Sequence, residues 1–437
     1  METGNLKLSR PGTERADAAQ DYPLEPAPMH ARQGFWSLTV VLTGFTFFTA
    51  TMFAGGNIGP AFRFFPDLLL VILAGNLLLG GYAAVLGWIA AKTGLNTALL
   101  SRYSFGNVGS KLPDFLLGFT QVGWYAWGTA TMAIALIELT GIPAGWRIPL
   151  MIIFGFGFCA TAWIGYRGLD LLSKVAVPLM IIVLAVSFGI AFADAGKKGG
   201  LLGLEAVKTL PVTTALTLIV GTFISGATQA TNWSRFAKDG KAAVLTTLLA
   251  FFVGNGLMVF SGALTGLVYQ EPDIVNVLKI QGLVSVGVAM LFLNIWSTQD
   301  NTIYNFSVSG CNFLRTGNRR AITLVGALIG TLLAIGGMYE WLIPYLVFLG
   351  KIIPPIGGVL IADYVVRRGK YAPVETASLP AYNLVGLVSY VVGAGAGFLP
   401  FGVAPVNAIV AALLAYFAGV KALQISFATE TESEPGV

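Results

Sequence analysis

Charge is scarce in this chain: Asp, Glu, Lys and Arg make up only 11% of 437 residues, against 55% hydrophobic. There is one histidine, His30, and there are two cysteines, Cys159 and Cys311, isolated in or near apolar segments. Neither a disulfide framework nor a Cys/His metal centre can be built from so few. No acid–base pair or His/Cys cluster falls within the apolar stretches, which excludes most enzyme chemistry. A cleavable leader is missing as well. The first 33 residues are polar, carry proline and have no apolar core, so residues 1–33 are expected to form a disordered cytoplasmic tail. The net charge of +5 comes from Lys and Arg gathered in short connections, and calls for no nucleic acid.

What the chain has instead is length in apolar runs. They recur from Gly34 to Gln424, each about 20 residues long and bounded by Gly, Pro or charge, as a bilayer-spanning helix requires. Twelve are expected, near 35–60, 67–91, 112–140, 147–166, 168–194, 209–236, 241–269, 283–312, 319–337, 340–365, 382–400 and 403–424. With the N-terminus inside, 19 basic residues fall in cytoplasmic segments and six in outer ones, so both termini are expected in the cytoplasm.

A shift of 177 residues carries Gly44 onto Gly221, Gln121 onto Thr298 and Pro178 onto Pro355. Five spans separate each pair. An odd number turns the second copy upside down, which is the inverted repeat of secondary transporters. The expected organisation is a first repeat at 34–194, a second at 209–365, two peripheral helices at 382–424 and a cytoplasmic tail at 425–437.

Two of these spans are too polar to be plain membrane helices. Span six runs into G-T-F-I-S-G-A-T-Q-A-T-N-W-S-R-F (221–236), and span one holds G-F-T-F-F-T-A-T-M-F-A-G-G (44–56). For one such helix, close packing through small residues is the simpler explanation. Two at matching places in a repeat point to broken helices lining a cavity, where irregular backbone is tolerated at membrane depth. A break frees N–H groups on one half and C=O groups on the other, able to meet the edge of a flat heterocycle or to hold a small cation. In span three, Gln121 and Trp124 lie one turn apart on one face, and a buried amide must find partners inside the protein. Phe223 could supply a second aromatic wall. In span eight, Asn294, Ser297 and Thr298 share a face of N-I-W-S-T-Q-D-N, a hard-oxygen set suited to sodium. The mid-membrane parts of spans one, three, six and eight lack ionisable residues apart from Asp300. This favours a neutral solute travelling with a metal cation over a proton relay. A channel would need polar lining continuous across the membrane, and here it concentrates at mid-depth.

These segments, with L-L-G-F-T-Q-V-G-W and P-P-I-G-G-V-L-I-A-D-Y (354–364), resemble the bacterial cytosine permeases of the nucleobase–cation symport family, from about Gln33 to Leu423. The resemblance implies an all-α integral membrane protein of LeuT type. It would have ten spans in two inverted five-helix repeats, discontinuous helices one and six, and two peripheral helices. It further implies a sodium-coupled cytosine importer of the bacterial inner membrane, working by alternating access and not as an enzyme. Carried over residue by residue, the base would stack between Trp124 and Phe223. Main-chain groups around Thr222, Ser225, Gly226 and Ala227 would meet its edge, with Gln121 and Gln299 as further contacts. Sodium would sit among the carbonyls of Gly44, Phe47 and Asn294 and the hydroxyls of Ser297 and Thr298. The partners implied are cytosine or 5-fluorocytosine and membrane lipid, with no obligate protein partner. Another neutral nucleobase or a hydantoin, carried with sodium or a proton, is the alternative.

Overall fold

The computed structural model describes residues 22–374 and 376–424. Among them every regular element is helical, apart from an isolated parallel bridge between Gln33 and Ala237. The first expected span is two helices, α1 (Phe35–Thr46) and α2 (Thr49–Ile58), bent by 55° at the join. Then come α3 (Leu69–Thr93), the short α4 (Thr97–Phe105) and α5 (Lys111–Thr140). Span four divides into α6 (Arg147–Gly157) and α7 (Cys159–Ile164), and α8 (Tyr166–Lys197) is span five. Span six is α9 (Val212–Thr228) with α10 (Thr231–Ser234). Span seven is α11 (Gly240–Thr247) and α12 (Asn255–Tyr269), joined by a π-helical stretch. After α13 (Ile274–Ile280) come α14 (Val284–Leu314) and α15 (Arg319–Ile335), then α16 (Leu342–Ile352) and α17 (Pro354–Val366). The last two are α18 (Leu384–Ala396) and α19 (Ala404–Ala422).

All twelve expected stretches are therefore helical. By length and composition alone, seven are apolar and long enough to cross a bilayer, or up to nine if each bent pair counts as one span. The shortfall has physical causes: the middle of α5 is diluted by Gln, Thr, Trp, Tyr and Gly, α18 is 13 residues long, and α14 and α15, bent by 115°, count as one pair. Local signals end the helices where the chain must turn. Gly94 and Gly141 close α3 and α5 in left-handed conformations (φ 73° and 75°) that only glycine adopts freely. Asn96, Asp239 and Asn318 cap the N-termini of α4, α11 and α15 by accepting from a backbone N–H three residues on.

Burial separates the centre from the rim. In the apolar window of Val212–Ser234, 78% of residues are buried, against 33% for Tyr166–Lys197 and 22% for Ala404–Ala422. Span six is thus wrapped by protein, while α8 and α19 turn most of their surface to lipid. A close helix contact is that between α2 and α12. A methyl group on Gly55 would lie 2.1 Å from the Val259 carbonyl oxygen, and one on Gly262 only 1.8 Å from that of Met52, so backbone meets backbone there. Related contacts recur under the 177-residue shift. Gly44 of α1 fits against Ser173 of α8, and Gly221 of α9 fits against the Leu346 backbone of α16.

The N-terminal expectation needs correction in part. Residues 1–21 and 425–437 lie outside the described residues, but 22–33 are docked against the protein. Ala27 donates its N–H to Gly94, Gln33 donates to Phe236, and the Arg32 guanidinium donates to the carbonyls of Ala91 (3.1 Å) and Ala237 (2.7 Å). Composition alone suggested disorder because this segment buries little apolar surface. What holds it is hydrogen bonding to helix ends whose carbonyls have no partner within their own helix.

A candidate substrate cavity beside two helix breaks

The break in span one is sharp. Phe47 (φ −76°, ψ 85°) and Phe48 (φ −131°, ψ 133°) leave the helix, so the last carbonyls of α1 lose their intrahelical donors. Across the break, the Thr49 N–H and hydroxyl both donate to Asn294 Oδ1 of α14, at 2.8 and 2.7 Å. The side chain of Asn294 thereby caps α2, whereas the resemblance implied for Asn294 only a main-chain cation ligand. The Ser297 hydroxyl approaches the Gly44 and Asn294 carbonyls, both at 3.1 Å. Thr298 Oγ1 lies 3.2 Å from the carbonyl oxygens of Phe45, Phe47 and Asn294.

This cluster gathers every residue expected at the cation site, Gly44, Phe47, Asn294, Ser297 and Thr298, and adds Phe45. Two hydroxyl protons serve four carbonyl oxygens, so acceptors outnumber donors. Such an excess at a helix C-terminus, where the dipole is negative, suits a cation. Oxygens about 2.4 Å from a hard cation sit about 3.4 Å apart in octahedral geometry, close to the spacing here. The set contains no carboxylate, which fits a monovalent ion.

The break in span six is narrower than expected. Only Phe223 departs from helical angles (φ −134°, ψ 15°), and α9 continues to Thr228. Gly226 leaves the space its partner needs: a methyl there would sit 2.5 Å from the Phe45 ring, so the two interrupted helices nest at this point. Beside them is a small cavity. Trp124 and Gln121 of α5 line it, as do Thr222, Phe223 and Ser225 of α9. Phe45, Phe48, Thr298 and Thr302 complete the wall. Phe48 stands edge-on to Trp124 (5.7 Å, 75°) and to Phe223 (6.2 Å, 76°).

Five of the eight residues expected to hold the base are therefore together around one space. Gly226 and Ala227 are buried behind it. Gln299 faces elsewhere: its Nε2 donates to the Tyr125 carbonyl and its side chain lies against Gly128 of α5. One residue along a helix is a rotation of about 100°, enough to turn Gln299 away from the cavity that Thr298 lines. Phe45, Phe48 and Thr302 were missed, as was Gln229, which hydrogen-bonds Gln121 from outside the lining. Thr302 had a signal, being four residues beyond Thr298 on the same face. The two phenylalanines had none, since apolar residues near a break look like ordinary core.

An all-helical membrane fold, with two interrupted helices meeting at a small central cavity beside an oxygen cluster, is that of a secondary transporter. The fold matches a nucleobase-cation-symport-1 family transporter in a closed conformation with bromovinylhydantoin bound. That TM-score is 0.80 at 21% identity, covering 93% of this chain and 96% of that one. It also matches a Na+-coupled sialic acid symporter in a substrate-bound outward-open state, with TM-score 0.66 at 12% identity over 93% and 92% of the two chains. The cytosine permease of Escherichia coli K12 is 39% identical over 393 residues, 90% of this chain and 92% of that one. A hydantoin permease of Microbacterium maritypicum is 24% identical over 456 residues, spanning 92% and 88% of the two. The family of permeases for cytosine/purines, uracil, thiamine and allantoin matches residues 26–419. The chain belongs to this family: it is a multi-pass membrane permease and not an enzyme.

Proposed function

We propose that this permease imports cytosine together with sodium across the bacterial cytoplasmic membrane, with both termini inside. The observation that carries this reading is the position of Thr298. It lines the cavity and also reaches the carbonyls of Phe45, Phe47 and Asn294, so one side chain touches both the base site and the cation site. Trp124 and Phe223 supply aromatic faces for stacking, and the unpaired Gln121 Oε1 supplies an acceptor for an amino group.

In this reading, residues 34–194 and 209–365 are the two repeats. Sodium joins α1 to α14, holds the outward-open arrangement and raises affinity for the base, and reciprocity makes the base favour sodium. One positive charge crossing about 100 mV adds about 2.3 kcal/mol of driving force.

The similarity to a hydantoin permease favours a second reading, in which another neutral base or a hydantoin fills the same slot. Were a proton to replace sodium, Asp300 would be its carrier. It is buried in α14 and bonded to Thr161 and Asn301. Radiolabelled cytosine uptake into proteoliposomes, with sodium or potassium outside and unlabelled bases and hydantoins competing, separates these readings. Uptake that ignores sodium and follows a pH gradient would overturn the sodium assignment, and stronger competition by a hydantoin than by cytosine would overturn the substrate.

A further inference from the structure

We infer that Gln229 is a positioning residue: it sets which end of the Gln121 amide faces the ligand, and so makes the cavity prefer an amino-bearing pyrimidine to a carbonyl-bearing one. The inference rests on the nucleobase reading of the cavity and adds the source of its selectivity. Gln121 is 1% exposed and lines the cavity. Its Nε2 donates to Gln229 Oε1 at 2.6 Å, while its Oε1 has no partner. Gln229 is fully buried and does not line the cavity. Its backbone N–H donates to the Ser225 carbonyl at 3.0 Å at the end of α9, and its Nε2 donates to Ser309 Oγ of α14 at 3.1 Å.

Two amides and a hydroxyl thus form one chain from α14 through α9 to α5, and the chain ends at a cavity-lining residue whose own oxygen has no partner. A carboxamide accepts at its oxygen and donates through two N–H groups at its nitrogen. Gln229 holds one of those N–H groups, which fixes the amide plane and leaves the Gln121 oxygen unpaired for the base. With Gln229 accepting, Gln121 offers oxygen. The 4-amino group of cytosine can donate to that oxygen. Uracil would bring its own carbonyl against it and leave two buried acceptors facing each other. The narrow break in α9 strengthens the case, because one non-helical residue frees few main-chain groups to read the base. Neighbouring Phe48, Trp124 and Phe223 contribute faces rather than hydrogen bonds.

The test is equilibrium binding of cytosine and of uracil to the purified full-length protein in sodium, for the parent and for Gln229 variants. The parent should favour cytosine by about tenfold or more. Gln229→Glu keeps an accepting oxygen for the Gln121 N–H, holds Gln121 in its present orientation and should retain that preference. Gln229→Lys offers only donors, draws in the Gln121 oxygen and should lower the cytosine-to-uracil ratio about tenfold or reverse it. Gln229→Met is uncharged and of similar length. It releases Gln121 and should bring the ratio toward one, with monodisperse elution in size-exclusion chromatography as the check on folding. A purely structural role would weaken both bases together and leave the ratio alone. If folded Gln229→Met retains the parent's ratio, Gln229 does not set the polarity and the inference falls. If the parent itself binds neither base, the nucleobase reading falls and takes the inference with it, and that failure is recognised by its presence before any substitution.

Discussion

Trp124, Phe223 and Thr298 carry the sharpest expectations at the scale of single residues. Removing the Trp124 face by Trp124→Ala should weaken cytosine binding by about 1–3 kcal/mol, the range for base–aromatic stacking. Phe223→Trp should be tolerated better than Phe223→Ala, because it retains a stacking surface. Binding titration decides this, and unchanged affinity in Trp124→Ala would refute the stacking role. Ser297 and Thr298 should behave differently from each other. Ser297 belongs to the oxygen cluster alone, so Ser297→Ala should raise the sodium concentration for half-maximal uptake with little change in cytosine affinity at saturating sodium. Thr298 also lines the cavity, so Thr298→Ala should worsen both, while Thr298→Ser stays near normal. Equal effects of the two alanine changes on both measurements would contradict the shared position of Thr298. Gln121 and Trp124 were legible because a one-turn spacing places them on one face. Gln299 was misread because its neighbours belong to the cavity, and adjacency along a helix says nothing about facing.

The two interrupted helices and the glycine contact set the behaviour of whole elements. Asn294 replaces the carbonyl that Thr49 would meet in a continuous helix. Losing that cap should therefore act on the break itself rather than on one ligand. Asn294→Leu leaves the buried Thr49 N–H without a partner at a cost of about 1–3 kcal/mol, and should lower thermal stability as well as sodium affinity. Asn294→Asp keeps the acceptor and should retain more stability, which a melting curve in detergent reads directly. Gly262 makes a stronger demand. Any side chain at that position enters the Met52 carbonyl, so Gly262→Val should prevent α2 and α12 from closing and leave no monodisperse protein. Normal expression and uptake by that variant would mean the two helices do not meet as described. The existence of a break in span one could be read from its hydroxyls and glycines. The narrowness of the one in span six could not, since glycine and threonine weaken a helix without dictating how many residues leave it.

For the molecule as a whole, sodium coupling implies electrogenic uptake. An inside-negative potential of about 100 mV should increase cytosine accumulation by up to about fiftyfold at fixed sodium, as about 2.3 kcal/mol per charge allows. Uptake indifferent to potential would argue against net charge movement. The docked segment 22–33 joins the end of α3 to the chain after α10. Arg32→Met removes two hydrogen bonds from a partly buried guanidinium, and should lower the apparent Tm by a few degrees. The membrane class, the helical architecture and the neutrality of the site followed from composition and period alone. Apolar runs of about 20 residues in a bilayer, which offers the backbone no partners, must pair their own N–H and C=O groups as helices. The family, too, could be recognised from short motifs, because they sit where irregular backbone must be tolerated. Which oxygens converge was decided in three dimensions: the Phe45 carbonyl joins the cluster only because α14 crosses the break in span one. The same holds for Gln229, which is 108 residues from Gln121 along the chain and 2.6 Å away across the helices. A hydrogen bond between helices depends on crossing angle and rotation. Those are set by packing over the whole bundle, which no local pattern records.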